Sequence, residues 1–346
     1  MELNDKYIIM STNSFEFQSK LACFDLDDTL IITKSGKQFP INENDWKFKY
    51  DNVKEKLRKL SENYTVMIFT NQAGIEKGAI TETSFTNKVT YIFKKLNIQI
   101  KLFCSKGHNI YRKPYPTFFQ KFIPKYIQYE CVSNGSFYCG DACGRINDFS
   151  DTDYKFAINC LLDFKTPEEI FLNEKSEIPK IIYPNISLPT EIDLDFVPKK
   201  PEILLMVGYQ GSGKSTIAKY INSKFNYKIL SNDLLKNKKK LINSINPLDS
   251  TIIDNTNPDL ITRKIFIDIA RKNNIQIRCI LMLTSRELSK HNNSYRFLIG
   301  EKEYIPEIVY KIYDKKFVKP SLSEGFSEII EVKPTMPRDV RYLNLF

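Results

Sequence analysis

One stretch limits the folding options of this 346-residue chain more than any other: Gly208-Tyr209-Gln210-Gly211-Ser212-Gly213-Lys214-Ser215. Its spacing is G-x-x-x-x-G-K-S. Glycines at those places let successive backbone N–H groups turn inward and meet phosphate oxygens at a helix N-terminus. Such a loop needs a buried strand before it and a helix after it. The apolar run within Glu202–Val207 predicts the strand, and the spacing of Ser215–Asn222 predicts the helix. Lys214 is expected to reach the β- and γ-phosphates of ATP and Ser215 to hold Mg²⁺. Gly208, Gly211, Ser212, Gly213 and Thr216 complete the expected nucleotide cradle. Further strands are predicted at Ser250–Asp254 and Arg278–Leu283, so this part of the chain reads as parallel α/β.

A phosphate-binding loop does not name an acceptor. Asp233 follows the apolar pair Ile229-Leu230, where a carboxylate either takes a proton from an acceptor hydroxyl or caps a helix. Asp254, at the end of a predicted strand, reads equally as a site group and as part of an Asn-Pro turn.

A second alternation of strands and helices precedes this one. Leu21–Leu26, Thr65–Thr70 and Phe137–Cys139 predict strands, while Val53–Glu62, Thr83–Leu96 and Tyr154–Leu162 predict helices. The first strand runs into Asp25-Leu26-Asp27-Asp28-Thr29. Carboxylates at a strand's C-terminal end lie where open α/β sheets bind ligands. Of two acids one residue apart, one can attack phosphorus and the other can serve as general acid and then base. Their repulsion calls for Mg²⁺, with Asp25, Asp27 and Asp141 as candidate ligands. Thr70 offers a hydroxyl after the second strand, and Lys113 a cation.

Between the two halves, Pro179, Pro184, Pro189, Pro198 and Pro201 break any helix. The expected organisation is a domain at 1–178, a linker at 179–201 and a domain at 202–346. Seven cysteines without CxxC spacing, and only two histidines, argue against a zinc site and for buried free thiols in a reducing compartment. Met1–Ser19 lacks the pattern of a secretory leader, and no run approaches the ~18 apolar residues of a membrane span. The Lys236–Lys240 run reads as a solvated helix face. Lys and Arg outnumber Asp and Glu 51 to 41, a formal charge of +10 that favours a polyanionic partner or simply solubility.

The order of the first set of motifs resembles the haloacid dehalogenase superfamily. More particular stretches resemble the polynucleotide kinase 3′-phosphatase family. They are Phe24-Asp25-Leu26-Asp27-Asp28-Thr29-Leu30, Ser35-Gly36-Lys37, Phe39-Pro40 and Asp45-Trp46. Ile68-Phe69-Thr70-Asn71-Gln72, Tyr111-Arg112-Lys113-Pro114, Gly140-Asp141-Ala142-Cys143-Gly144-Arg145, Asp148-Phe149-Ser150 with Asp153, and Thr166-Pro167-Glu168-Glu169 continue the likeness. In the second half Asp254-Asn255-Thr256-Asn257-Pro258-Asp259, His291-Asn292-Asn293 and Leu322-Ser323-Glu324-Gly325-Phe326 carry it.

The resemblance implies a haloacid dehalogenase-like Rossmannoid phosphatase joined to a P-loop NTPase-like kinase. It implies a monomeric, nuclear DNA repair enzyme that uses Mg²⁺ and ATP. Its substrates would be DNA ends, or RNA ends, bearing 3′-phosphate or 5′-hydroxyl groups. Asp25 and Asp27 would be nucleophile and acid–base, Asp233 the kinase base, and Arg296 the cation on the transferring phosphoryl group. With 24 residues before Asp25, recruitment to repair proteins through a forkhead-associated domain is not expected. Two arginines usual in the family are Asn232 and Ser294 here, so restoring either is expected to raise kinase activity. The rival expectations are a kinase–phosphatase of small metabolites and an inactive DNA-end binding protein.

Overall fold

The computed structural model of the chain describes residues 1–13, 15–125, 135–179, 192, 194–235 and 237–334. Most of the expected linker, residues 180–191 and 193, lies outside them, as do Lys236 and the side chain of Lys238. The chain divides into two compact units, Met1–Ile182 and Tyr183–Asn344.

In the first unit, short β-branched and aromatic runs form the strands β1 (Glu2–Leu3), β2 (Tyr7–Ser11), β3 (Leu21–Phe24), β4 (Ile31–Ile32), β5 (Lys47–Phe48), β6 (Thr65–Asn71), β7 (Ile100–Ser105), β8 (Phe137–Cys139) and β9 (Asp163–Lys165). Its helices are α1 (Val53–Ser61), α2 (Ala73–Glu76), α3 (Glu82–Leu96), α4 (Thr117–Phe122), α5 (Thr152–Asn159) and α6 (Pro167–Phe171). The sheet order is β1-β2-β7-β6-β3-β8-β9, and the five strands from β7 to β9 run parallel. All of β3 is buried, because apolar side chains cover both faces of a parallel sheet. From β3 the chain builds outward on one side through β6 and β7, then returns to the other side at β8. That reversal opens a crevice at the C-terminal end of β3, where ligands bind in folds of this kind.

Local chemistry sets the helix ends. Thr81 caps α3 by accepting from Ser84 N–H at 3.1 Å. The Thr166-Pro167-Glu168-Glu169 stretch is a capping box that starts α6, with proline at its first turn. The helix expected at Tyr154–Leu162 ends earlier, at Asn159. Leu161 adopts a left-handed φ of 56°, and Leu162 N–H turns back to Ala157 O at 2.9 Å. This cap closes the helix although the apolar pattern continues.

The second unit contains β10 (Glu202–Val207), β11 (Lys228–Leu230), β12 (Thr251–Ile253), β13 (Gln276–Met282) and β14 (Glu328–Val332). Its helices are α7 (Lys214–Phe225), α8 (Asn232–Leu235), α9 (Lys238–Asn243), α10 (Leu260–Lys272), α11 (Arg286–Leu298) and α12 (Glu307–Lys316). The sheet is wholly parallel, in the order β11-β12-β10-β13-β14. The switch in strand order falls at β10, so the glycine-rich loop opens into the crevice.

Arg263 of α10 is fully buried beneath this crevice. Its guanidinium donates to both Glu324 oxygens, at 2.7 and 2.9 Å, and to the carbonyls of Asn257, Pro258 and Val318. The Glu324 stretch thus serves as a clamp that holds the loop after β12. Glu324→Ala leaves a buried cation without its partner, which typically costs about 3–5 kcal/mol. Urea melts that follow each unit should show that loss in the second unit and none in the first. A second-unit midpoint within experimental error of wild type would mean that the clamp is not needed for stability.

Candidate active sites

The C-terminal ends of β3, β6 and β8 bring the first site together. Asp25 N–H donates to Cys139 O at 2.9 Å, which locks the end of β3 to β8. Lys113 N–H and side-chain Nδ2 of Asn71 exchange hydrogen bonds with Asn71 Oδ1 and Lys113 O, at 2.9 and 3.2 Å. That pair delivers the Lys113 ammonium into the crevice, where it donates to Asp25 Oδ1 at 2.6 Å, Asp153 Oδ1 at 2.7 Å and Tyr138 OH at 2.8 Å. Asp153 Oδ2 accepts from Ala142 N–H at 3.1 Å. Gly140 must stay glycine, since a Cβ there would lie 2.4 Å from the Asp153 carboxyl carbon. Asp141 accepts from the Thr29 hydroxyl at 2.8 Å.

Burial pushes the Asp25 carboxyl well above its usual range, against the pull of Lys113. Burial likewise pushes Asp141 up to about 6, with Asp153 adding to the effect. For Lys113 burial works downward, but the Asp153 and Asp25 carboxylates outweigh it and keep the group an ammonium.

Oxygens of Asp25, Asp141 and Asp153 lie within 4.8 Å of one another. Two of these carboxyls, those of Asp25 and Asp153, share the single Lys113 ammonium, so acidic groups outnumber the cation there. All donors are hard oxygens, so the set fits a divalent cation such as Mg²⁺.

The carboxylate of Asp27, expected among the ligands, is not brought into this group, and Asp153 stands there instead. Asp27 Oδ2 accepts from Gln72 Nε2 at 2.6 Å, and Oδ1 faces Lys88 Nζ at 3.4 Å. Gln72 also donates to Thr70 Oγ1 at 2.9 Å, which ties Thr70 to the same site. Sequence reasoning gave Asp153, Tyr138, Gln72 and Lys88 no role. Lys88 did leave a signal: it interrupts the apolar stripe Phe85, Val89, Ile92 on α3.

In the second site, Gly211 and Gly213 have left-handed φ of 78° and 94°. A Cβ on Gly211 would meet Ser289 O at 2.3 Å, so only glycine lets α11 approach the loop. Asn292 Nδ2 of α11 donates to Gly211 O at 2.9 Å, and Asn293 bonds both the N–H and C=O of Ile305. These bonds give the His291-Asn292-Asn293 stretch its structural task. Lys214 Nζ donates to Gly208 O at 3.0 Å and to Tyr209 O at 2.5 Å. Burial lowers the Lys214 ammonium to about 8, while Asp254 and Asp233 act to raise it and Arg296 to lower it further. Those three charges therefore lie within electrostatic reach of Lys214.

Ser215 Oγ donates to Asp254 Oδ2 at 2.6 Å, so Asp254 belongs to the site and its hydroxyl–carboxylate pair could hold a second Mg²⁺. Gly208, Ser212 and Thr216 stand within the loop and first turn as expected. Asp233 is exposed on α8. Ser231, not Asp233, caps that helix, its hydroxyl accepting from Leu234 N–H at 3.2 Å. Arg296 of α11 is partly exposed, with Nε 3.8 Å from Glu301. The expectation for Ser294 needs correction. It is only 5% exposed, so an arginine there has no room and would disrupt the packing of α11. Asn232 is exposed and has space for one.

Comparison with known proteins finds relatives along both units. The family model described as "Polynucleotide kinase 3 phosphatase" matches residues 20–171. The bifunctional polynucleotide phosphatase/kinase of Schizosaccharomyces pombe is 34% identical over 344 residues, spanning 95% of this chain and 83% of that protein. The polynucleotide 3′-phosphatase of Saccharomyces cerevisiae is 32% identical over 203 residues, spanning 43% of this chain and 85% of that protein. Likeness to the fission-yeast protein thus runs along nearly the whole chain, and the chain belongs to the bifunctional polynucleotide phosphatase/kinase family.

Proposed function

We propose that this chain removes 3′-phosphate from polynucleotide ends and transfers the γ-phosphoryl group of ATP to their 5′-hydroxyls, leaving ends ready for gap filling and ligation. The observation that carries the reading is that each unit gathers charged and hydroxyl groups at the switch point of its sheet, Asp25, Lys113, Asp141 and Asp153 in one and Lys214, Ser215 and Asp254 in the other. The phosphatase domain is 1–178, the linker 179–201 and the kinase domain 202–346. The basic charge suits DNA, whose binding should weaken as salt rises. Nuclear placement follows from that substrate.

In the phosphatase, Lys113 holds Asp25 by one oxygen and keeps the carboxylate facing the substrate. Asp25 attacks phosphorus, the P–O3′ bond breaks, and its electron pair passes to O3′ as Asp27 gives up its proton. Asp27 then takes a proton from water, the water oxygen attacks phosphorus, and the bond to Asp25 breaks to release inorganic phosphate. Thr70 and backbone N–H groups at the strand ends orient the phosphate oxygens. Mg²⁺ held by Asp25, Asp141 and Asp153 would supply neutralisation of the phosphate's negative charge.

In the kinase, the glycine-rich loop cradles the triphosphate while Lys214 swings from its carbonyl partners to the β- and γ-phosphates. Asp233 accepts the proton of the 5′-hydroxyl, and Arg296 balances charge on the moving phosphoryl group. Incubation with ATP, Mg²⁺ and oligonucleotides carrying 3′-phosphate or 5′-hydroxyl ends tests both halves. Release of phosphate and labelling of the 5′ end are expected. Turnover of small phosphorylated sugars with none on oligonucleotides would overturn the reading.

A further inference from the structure

Lys88 lies on the buried face of α3 beside Phe85, Val89 and Ile92, and is only 5% exposed. The other lysines of that helix, Lys94 and Lys95, are exposed. Burying an ammonium costs several kcal/mol unless a partner offsets it. Among the described residues Lys88 forms an ion pair with Asp27 Oδ1 at 3.4 Å, and its Nζ lies 5.7 Å from the centre of the Phe85 ring. The nearby charges Lys106 and Glu82 pair with each other, and Lys106 also donates to Asn4 O at 2.7 Å. The carboxylate that meets the buried Lys88 ammonium is therefore that of Asp27.

The second oxygen of Asp27 is held as well, by Gln72 Nε2 at 2.6 Å. Gln72 follows β6 and Lys88 comes from α3, so two separate elements grip one carboxylate. Its side chain is still 46% exposed and open to substrate. Asp27 must meet O3′ in one step and water in the next, and it can serve both only if it stays in one place. A free aspartate side chain at a turn would rotate between the steps, and repulsion from Asp25 would push it aside.

We propose that Lys88 is a positioning residue of the phosphatase, which with Gln72 fixes the Asp27 carboxyl for proton transfer in both half-reactions. This proposal rests on the phosphatase reading above. Water must be deprotonated to attack, whereas Asp25 attacks as it stands, so misplacing Asp27 should slow hydrolysis more than formation of the aspartyl-phosphate, and that intermediate should accumulate.

The test uses the full chain with Lys88→Met, which keeps the length and removes the charge, and with Lys88→Arg. Acid quench of a 3′-labelled oligonucleotide reads the trapped phosphoenzyme, and the burst amplitude counts competent phosphatase sites. For Lys88→Met, kcat per competent site should fall roughly 10–100-fold, KM should fall with it so that kcat/KM drops much less, and the steady-state phosphoenzyme fraction should rise. Lys88→Arg should recover much of the rate. Wild-type kcat per site and wild-type phosphoenzyme in Lys88→Met would overturn the proposal. So would a loss carried entirely by burst amplitude, because Lys88 would then only support folding. Failure of the wild-type protein itself to release phosphate would instead overturn the phosphatase reading.

Discussion

Asp25→Asn protein should leave a 3′-phosphate in place while phosphorylating 5′-hydroxyls at the wild-type rate. The amide keeps the size of the carboxyl and can still accept from Lys113, so the crevice keeps its shape. It relieves repulsion among Asp25, Asp141 and Asp153, so stability should not fall. What disappears is the oxygen nucleophile. Loss of a nucleophile commonly lowers turnover by on the order of 10⁴–10⁶-fold. Phosphate release and 5′ labelling, measured on the same preparation, give the two rates. A phosphatase rate within about tenfold of wild type would place the nucleophile elsewhere, whereas equal loss of both activities in folded protein would mean that the units share one site.

Asp233→Ala should do the converse, lowering single-turnover 5′-phosphorylation roughly 10²–10⁴-fold at saturating ATP. A sugar hydroxyl is a poor nucleophile near neutral pH, and a carboxylate that accepts its proton relieves that barrier. The structural alternative for Asp233 is weak, because the hydroxyl of Ser231 already caps α8. Its exposed carboxylate lies within electrostatic reach of Lys214 and is open to an incoming acceptor. Nucleotide binding should survive, since Lys214 and the loop amides hold ATP without it. Rates that agree within a few-fold would move the base assignment, and Asp254 cannot easily take it while paired with Ser215 at 2.6 Å.

The strands β3, β6, β8, β10, β12 and β13 were legible in the sequence because each is a buried apolar run, whereas β9 and β14, with polar and exposed residues, were not. Glu202–Val207 was predicted to the residue. Edges were harder to read. The helix expected at Tyr154–Leu162 stops at Asn159 because Leu161 turns left-handed, a backbone event that no apolar period records. Asp25, Asp141, Lys214 and Ser215 could be named because each comes soon after a predicted strand, while Lys113 was named from its place in the order of motifs.

Side-chain partnership was a different matter. Spacing made Asp25 and Asp27 look like a pair of ligands, but their side chains diverge beyond the end of β3. One meets Lys113 and Asp153, while the other meets Gln72 and Lys88. Ser294 looked like an open place for an arginine until the packing of α11 closed it. The amino-acid sequence determined which backbone segments become strands and loops, and hence where phosphate would be met, because period and glycine content are local properties. Only the tertiary structure decided which carboxylates share a cation, which lysine grips the acid–base, and which serine replaces Asp233 as a cap. The first two are distances between residues far apart in the chain, set by how strands and helices pack, and the third is a choice between two neighbours at one helix end.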